Sequence, residues 1–432
     1  MNLAMRHVSQ LKVFDAKGWA LGKSYTKALR KHTLSQLHIL RLGCCKGYED
    51  KFMADLRLRT PVLRELYLDS VFFAVDAPLL RVLSVKHDVR AHQGGIFNHG
   101  TTTSVILDAL WNSPLLEQLT LEGTDAFDLG DKSVSPEDRE TALDLPNLRR
   151  VRLKDEMSDF GLFYIVCAAP TADLNLAIGH CVPADDFPGT FSAMGDHMRA
   201  PGYDTLIVYE EQDKHGDTHV NIRFRSSSSR RGPHGEEAEP EFALDATIAP
   251  NRELSTHDII NLLEPHINVE DIRLLDIGEI GTEDYVEVSP SEVRQTLRLF
   301  AGVTTVRLNA HHLHALRSAQ DADEDDEPAV PMFQHLIVHD LTNADEFTFD
   351  DLVNAWDDII DILQERRHNG LGCPIGMLTL TGRRKFPQDL GDFSLGLYEK
   401  RDDMYVQYAE GMGAEVVDSR GEWQGDWEYL VE

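Results

Sequence analysis

Cysteine is scarce and poorly placed for crosslinking. Five cysteines, at positions 44, 45, 167, 181 and 373, serve 432 residues. An odd number with no C-x-x-C pair makes neither a disulfide framework nor a paired zinc site. Adjacent Cys44 and Cys45 would point to opposite faces of a strand. The thiols therefore read as the reduced cysteines of a cytoplasmic or nuclear protein. Long hydrophobic runs are missing as well. The longest, near Leu162 to Ala169, is far short of the ~20 residues that a membrane-spanning helix needs. Residues 1–30 hold no continuous apolar segment of the signal-peptide type. Positive charge is in short supply, with 42 Lys and Arg against 73 Asp and Glu, a net charge of −31. Such a chain repels a phosphate backbone and an anionic membrane surface, so neither nucleic acid nor membrane is expected as a partner. Neither G-x-x-x-x-G-K-[ST] nor G-x-G-x-x-G occurs, so no loop is marked for phosphate binding. G-x-S-x-G and H-E-x-x-H are absent too. The sequence assigns no catalytic residue, no cofactor and no metal ligand, and an enzyme is not expected.

What is present is one phrase, repeated. The stretch Ser113 to Gly123, S-P-L-L-E-Q-L-T-L-E-G, spaces Leu116, Leu119 and Leu121 as L-x-x-L-x-L. Its last L-x-L has the period of two of a strand with one buried face. The same spacing sets Leu37, Leu40 and Leu42; Leu63, Leu66 and Leu68; Leu80, Leu83 and Val85; and Leu148, Val151 and Leu153. Later copies are Ile272, Leu275 and Ile277; Val303, Val306 and Leu308; Phe333, Leu336 and Val338; and Ile375, Leu378 and Leu380. One match means little, because leucine is common. Nine in one chain, most separated by roughly 20 to 40 residues, predict an α/β fold of the irregular leucine-rich-repeat solenoid type. In that arrangement a parallel β-sheet lines the concave face and helices cover the convex face.

Residues 1–36 read as a helical flank, with Trp19, Leu21, Tyr25, Ala28 and Leu29 on one apolar side, capping the first repeat. Residues 37–432 read as the solenoid. Thr103 or Ser104 caps a helix that turns Val105, Ile106, Ala109 and Leu110 toward the strands. A helix is predicted over Asp159 to Ala169, followed by strands at Leu174 to Ile178, Thr205 to Tyr209 and Val220 to Phe224. The phrase lapses here, and no Pro/Gly-rich linker divides the chain. The sheet is therefore expected to run on through degenerate repeats. Residues 225–241 are almost devoid of apolar side chains and read as a disordered insertion. Asp350 to Arg367 is a strongly amphipathic helix. Residues 411–432, with Trp423 and Trp427, read as a C-terminal cap.

Three clusters carry conceivable chemistry. His311, His312 and His314 form H-H-x-H ahead of the acidic run Asp321 to Pro328 and could share a metal with Asp321 or Asp323. A strand end and surface turn is the ordinary alternative, and the acidic run lacks the glycine and spacing of a calcium loop. Cys167 and His180 could pair as nucleophile and base, but a cysteine within an apolar helix is ordinarily a buried neutral thiol. Ser226 to Ser229, flanked by Arg223, Arg225, Arg230 and Arg231, would suit a kinase that prefers basic context, or be plain linker.

The outward positions of the strands define the expected binding surface. They are Glu65 and Tyr67, Val82 and Ser84, Gln118 and Thr120, Arg150 and Arg152, then Leu274 and Asp276, Thr305 and Arg307, His335 and Ile337, Met377 and Thr379. Tyr67, Arg150, Arg152 and Arg307 are of the types most often found as interface anchors. On an otherwise acidic chain they point to an acidic or phosphorylated protein segment as partner. Pairing of these arginines with neighbouring carboxylates is the alternative. The phrases P-L-L-R-V-L-S-V, S-P-L-L-E-Q-L-T-L and L-P-N-L-R-R-V-R-L resemble fungal F-box-like proteins with irregular leucine-rich repeats, over most of the chain from Leu37 onward. That resemblance implies repeats that recruit a substrate for a cullin–RING ubiquitin ligase, with an F-box docked on the ligase adaptor. No L-P-x-E-[IVL]-[LW] box occurs in residues 1–36, so adaptor docking is expected only with an F-box upstream. A general interaction scaffold unconnected with ubiquitin is the alternative.

Overall fold

The computed structural model describes residues 8–16, 29, 33–43, 56–71, 73–86, 106–122, 143–155, 166–167, 172–182, 187–200, 202–212, 218–226, 244–250, 256–277, 290–320, 332–341, 349–368, 373–382, 384 and 395–421. The fold is α/β, and within each of its two units the parallel strands of the main ladder lie in chain order. Two compact units make it up: Met1–Ala200 with Phe242–Asn251, and Pro201–Glu241 with Arg252–Glu432.

In the first unit the strands are β1 (Val13–Ala16), β2 (Ile39–Gly43), β3 (Arg57–Arg59), β4 (Glu65–Asp69), β5 (Ala74–Asp76), β6 (Val82–Lys86) and β7 (Gln118–Glu122). They are followed by β8 (Leu143–Asp144), β9 (Arg150–Asp155), β10 (Val166–Cys167) and β11 (Asp173–Val182). Strands β12 (Thr205–Gln212) and β13 (Thr218–Arg225) belong to the second unit, and the chain returns to the first for β14 (Leu244–Pro250). The main sheet of the first unit runs β1-β2-β4-β6-β7-β9-β11-β14, all parallel. Short parallel pairs β3–β5 and β8–β10 form two further small sheets.

One backbone unit recurs along this sheet. A buried residue, a proline and one further residue lead into the first leucine of the phrase. The turn is closed by that leucine's amide: Leu63 to Thr60 O at 3.1 Å, Leu80 to Ala77 O at 3.0 Å, Leu116 to Ser113 O at 3.1 Å and Leu148 to Leu145 O at 2.9 Å. Proline at the second position fixes φ where such a turn needs it. At most strands the carbonyl of the residue just before the strand then accepts two successive amides of the next strand's start. His38 O receives Arg64 N (2.9 Å) and Glu65 N (3.1 Å), Arg64 O receives Arg81 and Val82, and Arg81 O receives Glu117 and Gln118. Strand alternation does the rest. Every apolar position of the repeated phrase is buried except Leu153, which is half-buried.

The second unit uses the same ladder with helices as crossovers. Its strands continue as β15 (Leu274–Asp276), β16 (Thr305–Asn309), β17 (His335–His339), β18 (Met377–Thr381) and β19 (Glu415–Asp418). They pair in parallel in the order β12-β15-β16-β17-β18-β19. Arg273 O accepts Thr304 N (2.9 Å) and Thr305 N (3.0 Å), as in the first unit. Besides helical residues 106–111, the helices among the described residues are α1 (Phe187–Met198) in the first unit, then α2 (Thr256–Leu263), α3 (Pro290–Leu299), α4 (Leu313–Gln320), α5 (Phe349–His368) and α6 (Leu395–Gly411) in the second. From α2 to α6 each helix packs on the next. A polar bond spans every joint: His257 to Thr296 (2.9 Å), Arg294 to Ala319 O (2.9 Å), Arg317 to Asp361 (2.8 Å) and Trp356 to Asp402 (2.8 Å). Among the described residues no helix is long and apolar enough to cross a membrane.

Several expectations are corrected. Within residues 1–36, taken as a helical flank, Val13–Ala16 is a strand in register with β2, because the open edge of β2 offers a full set of partners. Leu29 is buried and helical, whereas Trp19, Leu21, Tyr25 and Ala28 lie outside the described residues. Val166–Cys167, placed in a helix over Asp159 to Ala169, is a strand. The stretch expected to run on as degenerate repeats instead contains an antiparallel hairpin, β12–β13, and two crossings between units. Leu206, Val208, Val220, Ile222 and Phe224 bury one face of that hairpin, which is what alternation over two adjacent strands allows. Of the insertion expected at 225–241, Arg225 ends β13 and Ser226 is buried; residues 227–241 lie outside the described residues, as do 321–328 and 422–432. Among the described residues of the first unit, the short strands β3 and β5 stand in the connections flanking β4.

The repeated turn yields a stability prediction. The turn that closes Val303 onto Phe300 O at 3.0 Å carries Ala301 where the four turns above carry proline. Phe300 follows α3 and donates to Leu297 O (3.1 Å), just as Ser113 donates to Leu110 O (3.0 Å) ahead of Pro114. Ala301→Pro should therefore raise stability by about 0.4–1 kcal/mol, read as an upward shift of Tm. A lower Tm for this variant would show that the two turns differ.

Candidate functional site

The outward face of the first unit's sheet is a grid set by strand register. One row reads Asp15, Arg41, Tyr67, Ser84, Thr120, Arg152, Asn175, Asp245 across successive strands. The row beside it carries Glu65, Val82, Gln118, Arg150 and Asp173, and the row on the other side carries Asp69, Lys86, Glu122 and Lys154. Tyr67 and Arg152 are thus three strand spacings apart, ~14 Å, with small Ser84 and Thr120 between them.

Each end of the grid has its own electrostatics. At the Tyr67 end, the Arg41 guanidinium lies 5.0 Å from the Tyr67 ring centroid and 3.8 Å from both Asp15 and Glu65. The Tyr67 hydroxyl donates to Glu65 at 3.2 Å. Burial, followed by the Glu65 carboxylate, pushes its pKa up. At the other end, Glu122 is bracketed by Lys86 at 2.7 Å and Arg152 at 3.0 Å, and Arg150 reaches Asp173 at 3.7 Å. The side chains of Arg150 and Arg152 remain 62% and 54% exposed. Lys154 is exposed and makes no ion pair with a described residue. Four cations, Lys86, Arg150, Arg152 and Lys154, stand there with Glu122 and Asp173 as ion-pair partners, and Asp69 is the register neighbour of Lys86 on β4.

Arg307 belongs to the second unit and its own network. It pairs with buried Asp276 at 3.3 Å and lies 3.5 Å from His339 Nδ1. His339 is 3.0 Å from the Thr381 hydroxyl and 3.4 Å from Asp340, and His335 is 2.8 Å from Thr379. Burial lowers the His335 pKa. The structure therefore brings Tyr67, Arg150 and Arg152 onto one grid, and each of the three arginines picked from the sequence has a carboxylate partner. Sequence reasoning missed Arg41, Lys86, Lys154 and His339. Arg41 could have been found, since Leu40 and Leu42 belong to the phrase and place it outward. The other three lie one residue beyond the last apolar position.

The remaining candidates come apart. His312 is buried and His314 exposed, the latter 3.6 Å from Asp358 on α5; the His311 side chain, Asp321 and Asp323 lie outside the described residues. Among the described residues no group of His, Cys, Asp or Glu is placed to hold a metal. Cys167 lies in β10, and the side chains of Cys167 and His180 are outside the described residues, as are Ser227 to Ser229. No protein-family model, curated protein or solved structure matches the chain.

The strongest polar cluster has a structural role. Arg420 grips Asp402 through both terminal nitrogens (3.2 and 2.7 Å) and Asp418 through Nε (3.0 Å) and Nη2 (2.7 Å), while Arg384 also reaches Asp418. Trp356 donates to Asp402 and stacks on Tyr405 at 5.6 Å. Arg420 and Asp402 are buried, so this cluster locks the segment after β19 onto α5 and α6. Replacing Arg420 with Met should cost about 3–5 kcal/mol by stranding the Asp402 charge, and adding Asp402→Leu should recover much of it. Denaturant melts of the single and double variants decide this; equal midpoints for Arg420→Met and wild type would remove the lock. Acid should open it as well. Burial raises the Asp418 pKa, but bonds from Arg420 and Arg384 overcome that and hold it at about 2. A carboxyl depressed in the fold stabilises it above the ordinary range, and that contribution is lost as pH falls from about 4 toward 2. An Asp418→Asn variant should lack that part of the acid loss, as followed by the melting midpoint against pH.

Proposed function

We propose that this chain is a leucine-rich-repeat solenoid that holds a segment of another protein on its exposed sheet face. The observation that supports it is the recurrence of one turn-and-strand unit with apolar inward and variable outward positions. A face built this way offers two or three freely variable side chains per rung, suited to reading an extended polypeptide. Around β9 the cations Lys86, Arg150, Arg152 and Lys154 outnumber Glu122 and Asp173, on a chain of net charge −31. The guanidinium fork matches carboxylate and phosphate, so the ligand segment is acidic or phosphorylated. The existing ion pairs do not compete strongly, because exposed pairs are worth about 0–1 kcal/mol. They hold the arginines in place until a ligand carboxylate or phosphate takes over.

The resemblance to F-box-like proteins gives a narrower form, in which the bound segment belongs to a protein destined for ubiquitylation. Co-purification of a cullin–RING adaptor with the product of the full reading frame tests that form; its absence leaves the general scaffold. The wider reading is tested by Arg150→Gln with Arg152→Gln. Tm should stay within about 1 kcal/mol equivalent of wild type, while affinity for the captured partner falls about tenfold or more and loses salt sensitivity. Unchanged affinity at every salt concentration would put the binding face elsewhere.

A further inference from the structure

The turns ahead of the first unit's strands carry an apolar row of their own. Val62, Leu79 and Leu115 each follow the turn proline and precede the inward leucine. The registers Glu65 to Val82 and Val82 to Gln118 place them on successive rungs. Rungs stand ~4.8 Å apart, so their side chains are neighbours. Bonds between Arg81 and Glu117 (2.9 Å) and from Asn147 to Pro114 O (3.2 Å) tie adjoining rungs along this edge. Leu79 is 42% exposed and Leu115 39%, and Val62 is half-buried. Trp111, 55% exposed, ends the helical residues 106–111 just before the Leu115 turn. A lone exposed leucine is ordinary, whereas three apolar side chains in register on successive rungs form a ridge, and exposed Trp111 precedes Leu115 by four residues in the chain.

Charge says what covers the ridge. Two residues further along the same rungs stand Arg64, Arg81, Glu117 and Arg149. Arg64 and Arg149 are exposed and make no ion pair with a described residue. On a protein of net charge −31 an apolar ridge lined by arginines suits a segment of the opposite sign. We infer that this turn edge docks a partner-protein segment in which acidic side chains alternate with large apolar ones. The apolar side chains seat on Val62, Leu79, Leu115 and Trp111, and the acidic ones meet Arg64, Arg81 and Arg149. This rests on the reading of the adjoining sheet face as a protein-binding surface and names the chemistry of the segment bound there.

The test uses the full chain and fluorescein-labelled peptides that repeat Asp-Phe-Glu-Leu, Asp-Ser-Glu-Gly, Ser-Phe-Gln-Leu or Lys-Phe-Arg-Leu. Anisotropy should show the first binding at least about tenfold more tightly than the others. Leu79→Ser with Leu115→Ser, or Trp111→Ser alone, should weaken it by about tenfold or more with Tm unchanged. Equal binding of the Asp-Ser-Glu-Gly peptide overturns the ridge and leaves the sheet-face reading intact. Tighter binding of the Lys-Phe-Arg-Leu peptide, or none of the Asp-Phe-Glu-Leu peptide, also overturns the inference. So does self-association abolished by the double serine variant without peptide binding, which would make the occupant a second copy. Arg150→Gln with Arg152→Gln separates the two readings. A captured partner lost by that variant but not by the serine variants sinks the ridge alone, and one retained by all of them sinks both.

Discussion

A carbonyl that accepts two amides sets the register on which the other features depend. The oxygen just before a strand has two lone pairs and takes both N–H groups at the start of the next rung, as at Lys12, His38, Arg64, Arg81 and Glu117 in the first unit and Asp204, Arg273, Thr304 and Gln334 in the second. A one-residue slip would break both bonds and turn every inward leucine outward. The backbone and the side chains therefore specify the same register. Burial of each leucine adds about 1.5–3 kcal/mol to that choice.

Because the inward positions are tied so closely, they were readable from the sequence. The L-x-x-L-x-L spacing located β2, β4, β6, β7, β9 and β15 to β18, and the apolar stripe of α5 was placed within a residue at each end. Elements without the full leucine phrase were harder. β1 carries the phrase only in weakened form, with Leu11, Phe14 and Ala16 in register with Leu37, Leu40 and Leu42, and the small Ala16 hides it. The hairpin β12–β13 alternates as any strand does, and nothing in alternation distinguishes an antiparallel partner from a parallel one. The crossings between units carry no compositional mark.

The polar devices were hidden for a different reason. Asp402 and Arg420 are brought together by the packing of α6 and the return of the chain after β19, a long-range event with no local pattern. The residues just past the strands are similar. Ser70 (φ 54°), Asp340 (φ 47°) and Gly382 (φ 93°) all turn left-handed there. A Cβ at Gly382 would lie 1.9 Å from an Asp340 carboxylate oxygen, so glycine is required at that one site by its neighbour as well as by its backbone. At Ser70 the amide is rewarded by a 2.7 Å bond to Lys86 O on the next strand.

What the register leaves free is the outward surface, and there the chain places its charge with a consistent logic. Deep charges are paired where both partners are enclosed, as Arg420 with Asp402, and those pairs fix structure. Shallow charges sit in pairs that water reaches, as Arg150 with Asp173 and Arg152 with Glu122. Such a pair costs little to open, and it spares the guanidinium the entropy of being ordered again by a ligand. Arg64, Arg149 and Lys154 go further and are left without an ion-pair partner among the described residues, although acidic residues outnumber basic ones 73 to 42 in the chain. In a chain so rich in carboxylates, Arg64 and Arg149 along the turn edge concentrate local positive potential, which is the feature the proposed acidic ligand would use.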